Sequence, residues 1–67
     1  MSVLKVIEIL ADSDKSWEDA ANNAVGEAAK SVRNIQSVYV NEMSATVKDG
    51  KIDMYRVNAK ITFTVGE

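Results

Sequence analysis

Asp12, Asp14, Glu18 and Asp19 place four carboxylates within eight residues, the densest set of hard oxygen ligands in the chain. Such a group could hold calcium or magnesium. Its spacing lacks the twelve-residue loop pattern of an EF-hand. The same carboxylates also suit the positive end of a helix starting just after Ser16, and capping is the stronger reading. The chain has no His and no Cys. That removes the commonest general base, the commonest transition-metal ligand, any thiolate site and any disulfide. No serine has a His beside it, no Lys stands out as its partner, and an enzyme is the least supported class. Trp17, Tyr39 and Tyr55 offer π-faces for a planar ligand, although aromatics so placed more often anchor a core or a subunit contact. Arg56 can pair with a phosphate or carboxylate on a ligand, or with an acidic neighbour. Lys5 and Glu8 read as ion partners at an interface.

The elements that must position these groups follow from periodicity. Val3–Leu10 (VLKVIEIL) is short, β-branched and apolar on both faces apart from Lys5 and Glu8, which predicts a strand. A strand apolar on both faces needs a cover on each. Ala11–Lys15 reads as a polar connection. Ser16 predicts a helix N-cap, with Asp19 completing an imperfect capping box. Trp17, Ala20, Ala21, Ala24, Val25, Ala28, Ala29 and Val32 recur at helical spacing and form one stripe. Most of that stripe is alanine, so the helix can lie close to a sheet. Gly26 falls off the stripe at a cost of about 1 kcal/mol against alanine. Asn34 is the expected stop. From Ile35 to Val47 the alternation changes phase: Val38 and Val40 share one parity, Met43, Ala45 and Val47 the other. A bulge near Asn41–Glu42 reconciles them. Lys48-Asp49-Gly50-Lys51 predicts a type I′ hairpin turn. Ile52–Val65 predicts a long strand, with Tyr55, Val57, Ala59, Ile61, Phe63 and Val65 on one face and Met54, Arg56, Asn58, Lys60, Thr62 and Thr64 on the other.

The expected class is therefore α+β, in the order β-α-β-β, with one helix packed on a three-stranded antiparallel sheet. The 67 residues make a single domain. The hydrophobic share of 46% and charged share of 27% are those of a globular protein. Net charge is −2 with dispersed Lys and Arg, which argues against nucleic acid as a partner. No apolar run approaches the ~20 residues of a membrane span, and no signal peptide is visible, so the expected location is cytoplasmic and away from membranes. A chain this short buries only about 60% of its unfolded surface. Without a disulfide, self-association is the expected stabiliser, since one helix cannot cover strands this long.

Two stretches carry a resemblance. SWEDAANNAVGEAAKSVRNI, then a bent strand, a DGK turn and MYRVNAKITFTV, resembles the dodecins. The likeness covers nearly the whole chain, 1–67, and includes the opening VLKVIEIL strand and the closing Y-x-V-x-x-K-I-x-F pattern. It implies a hollow homododecamer of cubic (tetrahedral) symmetry. Typical bacterial and archaeal dodecins store or sequester flavins. Their isoalloxazine rings stack on a Trp near the start of the second strand and bond a Gln that follows the Tyr of the last strand. The matching ligand-binding positions here are Ser37 and Arg56. Ser37 has no π-face, which removes a stacking term of about 0.5–1.5 kcal/mol. Arg56 puts a cation where a neutral amide is expected. The expectation is a non-catalytic cage that binds or sequesters another small ligand or a cation, the usual flavin mode being weakened or lost. The alternative is a flavin-storing dodecin. The residues holding any metal are left open.

Overall fold

The computed structural model describes residues 3–66. Four elements follow one another: β1 (Val3–Ser13), α1 (Trp17–Ala28), β2 (Ile35–Lys48) and β3 (Lys51–Val65). They form a three-stranded antiparallel sheet in the order β1-β3-β2, with α1 on one face. The predicted α+β architecture is the one observed.

The strand β1 runs three residues beyond the expected Leu10, and Ala11–Ser13 is not a connecting loop. Polar residues extend the strand because each finds a partner. Asp12 lies opposite Arg56 and pairs with it, while Ser13 lies opposite Tyr55 and is buried. The Ser13 hydroxyl accepts the Lys15 and Ser16 amides at 2.9 and 3.4 Å and donates to Asp19 Oδ2 at 2.7 Å, which turns the chain into α1. Ser16 is the N-cap, its Oγ accepting the Asp19 amide at 2.9 Å. The Asp19 carboxylate bonds Ser13 rather than reaching back to Ser16, so the capping box is half made.

The helix is also shorter than its stripe, ending at Ala28 and not at Val32. Lys30 and Ser31 donate to the carbonyls three residues back, the pattern of a tightened last turn. Ala29 is exposed, and Val32 still packs on the core from outside the helix. Asn34, the expected stop, has φ 63°, a left-handed conformation that asparagine tolerates. An added Cβ at Gly26 would meet nothing, so this glycine serves no close contact within the chain.

The phase change in β2 is a break in register between Val40 and Glu42. Two more breaks, between Ile35 and Ser37 and between Thr46 and Val47, had no signal in the alternation. At the last of these the Thr46 hydroxyl accepts the Met54 amide at 3.1 Å. Asp49 and Gly50 have φ 53° and 75°, both positive as a type I′ turn requires.

The core is small. Ala20, Ala24 and Ala28 press on Val57, Ala59 and Ile61 of the central strand. Everything beyond that strip is thinly covered. On the sheet face away from α1, Leu4, Val6 and Leu10 are 57–66% exposed. Met43, Val47 and Ile52 are exposed along the long hairpin. Because β1 pairs with β3 only as far as Tyr55, the tip of that hairpin is a two-stranded arm. The extents are 51 × 19 × 13 Å, and the accessible surface is 4924 Å². A compact monomer of 7.3 kDa would expose about 4,200 Å².

Two outcomes are expected. Ala24→Leu should cost about 1–3 kcal/mol, read as a lower urea midpoint, because the helix must lift from Val57 and Ala59. Sedimentation at micromolar concentration should show a particle far heavier than 7.3 kDa; a monomer there would mean that these apolar faces tolerate water.

Candidate functional site

Ser37 and Arg56 share the sheet face turned away from α1. The register sets Ser37 against Thr62 and Arg56 between Asp12 and Ser44. Thr62 lies six steps along β3 from Arg56, roughly 20 Å at about 3.3 Å per residue. One chain therefore puts both residues on one surface without bringing them together. A site using both needs a second copy.

Arg56 is held in place. Its Nε–H donates to Asp12 Oδ1 at 2.7 Å and an Nη2–H to Oδ2 at 3.1 Å. This two-pronged bond fixes the plane of the guanidinium. Cross-strand pairing supplies it, since Asp12 and Arg56 are direct neighbours in the ladder. The hydrogen bond from Arg56 holds the Asp12 carboxyl below its usual value of 3.8; partial desolvation opposes this, and the guanidinium charge adds to it. Arg56 is raised in turn, first by the same hydrogen bond and then by the carboxylate's charge. The side chains are 45% and 34% exposed, so solvent screens the pair. Along the same face Glu8 lies opposite Lys60, and Asn58 sits between Arg56 and Lys60. The buried Oδ1 of Asn58 has no hydrogen-bond partner among the described residues.

The acidic residues near the helix start disperse. Asp12 goes to Arg56 and Asp19 to Ser13. Among the described residues no three acidic groups converge as a metal site would need. Trp17 is an anchor: its Nε1–H donates to the Ser44 carbonyl at 2.7 Å, and its ring meets Tyr55 in a T-shaped contact at 4.8 Å. This ties the start of α1 to β2 just past its bulge. The sequence gives the Asp12–Arg56 bond no local signal, because Asp12 sits in a polar stretch that reads as a connection and its partner is 44 residues away. With Val57 and Ala11 facing each other as core residues, one step back along β3 and one step forward along β1 pairs the two.

The fold is a small sheet-and-helix unit, with polar groups presented on open strands. The Dodecin family profile matches residues 3–66. The chain belongs to the dodecin family. It is 40% identical over 63 residues to the calcium dodecin of Mycobacterium tuberculosis, covering 94% of this chain and 89% of that one. A solved structure of that calcium dodecin, described as calcium-chelating with a novel calcium-binding site, is 41% identical with a TM-score of 0.83, over 97% of this chain and 93% of that chain. A point mutant of the T. thermophilus dodecin is 25% identical with a TM-score of 0.94 over the whole of both chains.

The ion pair gives an expected pH dependence. Because the folded Asp12 value is lowered, its contribution is complete above the unfolded value and disappears as pH falls through the folded one. Wild type should therefore exceed Asp12→Asn in stability by a constant margin at neutral pH. The margin should close below the usual carboxylate range and shrink in high salt. Urea titrations across pH measure it, and a margin that widens in acid would contradict the assignment.

Proposed function

We propose that this protein is a non-catalytic, cytoplasmic homododecameric cage whose polar sheet face binds or sequesters a small ligand or hard cation, with calcium the first candidate. The observation that carries this reading is the Asp12–Arg56 bond. At the position matching the family's flavin-binding amide stands a cation already committed to a carboxylate, and Ser37 supplies no ring to stack. A flavin would have to break or evade that pair without the stacking that offsets the cost elsewhere in the family.

Several features favour a cation. The relative at 40% identity is a calcium dodecin. Calcium is bound by carboxylate and carbonyl oxygens, and the unpartnered Oδ1 of Asn58 is such an oxygen on this face. One chain offers too few donors for six to eight ligands, so carboxylates from further copies would complete the shell. The exposed apolar rows of β1 and the hairpin arm would be covered in the same assembly.

Calorimetric titration of the assembled protein with calcium chloride should give saturable heat, weakened by Asn58→Ala. Riboflavin fluorescence should be unquenched by wild type. The double change Ser37→Trp with Arg56→Gln should restore quenching, because it returns a ring and a neutral amide. Stoichiometric, micromolar flavin binding by wild type would instead make this a flavin-storing dodecin.

A further inference from the structure

A second candidate site lies on the opposite side of the sheet, between the start of α1 and the bulged part of β2. It is a cavity of about 400 Å³. Trp17, Ala21, Met43 and Val57 supply apolar wall, and Glu18 and Glu42 stand among its lining residues. No Lys or Arg lines it. The volume is in the range of small-molecule sites, roughly 300–1,000 Å³, which are likewise mostly apolar with a few polar groups.

We infer that this cavity takes a small organic cation, an ammonium carrying apolar substituents. Three features select that class. The indole ring has a negative face that attracts a cation, and tryptophan is the best of the aromatics at this. Glu18, in the first turn of α1, adds negative charge, and no basic residue stands among the described lining residues to cancel it; Glu42 lines the cavity from β2, but it pairs across the ladder with Asn58 and its side chain belongs to the other face. Apart from Asn41 the remaining wall is apolar, Ala21, Val40, Met43 and Val57, which suits alkyl groups and does not surround a hard metal ion with oxygens. The ring is also fixed in advance. Its Nε1–H is bonded to the Ser44 carbonyl and its plane is set against Tyr55, so a ligand need not order it. The cavity opens on the helix side of the sheet, and Glu42 of β2 is the residue it shares with the polar face, where Glu42 lies opposite Asn58.

Trp17 is the only tryptophan in the chain, so its emission reports on the cavity. The assembled full-length protein is titrated with tetramethylammonium chloride, and separately with tert-butanol as its neutral isostere, at constant ionic strength. Tetramethylammonium should change the emission saturably, at a concentration about tenfold below any response to tert-butanol. Glu18→Gln, at an exposed position, should weaken the response about two- to fivefold, and Glu18→Lys should weaken it further. Sedimentation checks that each variant stays assembled. An equal response to tert-butanol, or an undiminished response in Glu18→Lys, would overturn the proposal. So would the absence of any saturable change, the result expected if a side chain from a second copy fills the cavity.

Discussion

The contact between three alanines and one strand governs this molecule. Ala20, Ala24 and Ala28 let α1 lie directly on Val57, Ala59 and Ile61. A methyl side chain brings a helix close, but a close helix with small side chains covers little width. The strip of sheet beneath it becomes dry, and the strands on either side do not. β3 is central because it carries that strip and, among the described strands, is the one hydrogen-bonded on both sides. β1 and β2 are long edge strands with apolar residues in water, a state that natural proteins rarely leave unpaired. The tight helix contact and the need for further copies are one fact seen from two sides.

The same geometry divides the chemistry. Residues of β3 alternate strictly, so Val57, Ala59, Ile61 and Phe63 go to the helix while Arg56, Asn58, Lys60 and Thr62 go to the other face. The bulge at Val40–Glu42 lets β2 keep apolar residues toward the helix on both sides of it, Val38 and Val40 before, Met43 and Ala45 after. Ser37 and Ser44 thereby reach the polar face despite their opposite parity. Without the bulge, one of the two serines would point into the helix side. The irregularity in the strand is what makes the polar face continuous.

Much of this was legible in the sequence. Alternation over Ile52–Val65, the alanine stripe, the Asp-Gly turn and the phase change at Asn41–Glu42 each name a structure through simple sterics. The misses share one cause. Asp12 and Ser13 look like loop residues, and only partners far along the chain, Arg56 and Asp19, make them part of a strand and a cap. The helix end failed for the converse reason. Ala29 and Val32 continue the stripe, yet the chain tightens after Ala28, and Val32 reaches the core without being helical. Ser37 and Arg56 were visible as departures from a family pattern. That they lie roughly 20 Å apart along the strand was not visible, because the spacing depends on register.

That separation bears on what kind of site the polar face can make. On this face a single chain encloses nothing: the sheet is one layer, open on the side where the ionic groups sit. Arg56 is satisfied locally by Asp12, so it is a fixed feature of the surface and not a free donor waiting for a ligand. Asn58 is the reverse case, a buried carbonyl oxygen left without a donor. Such an oxygen costs free energy until something binds it. On the proposed reading, repetition of the chain supplies both missing parts, the cover over the apolar rows and the further ligands around Asn58. A subunit with a larger core could have been stable alone, with its polar face turned to water. If the polar face is a binding site as proposed, the narrow alanine strip makes assembly and binding depend on each other.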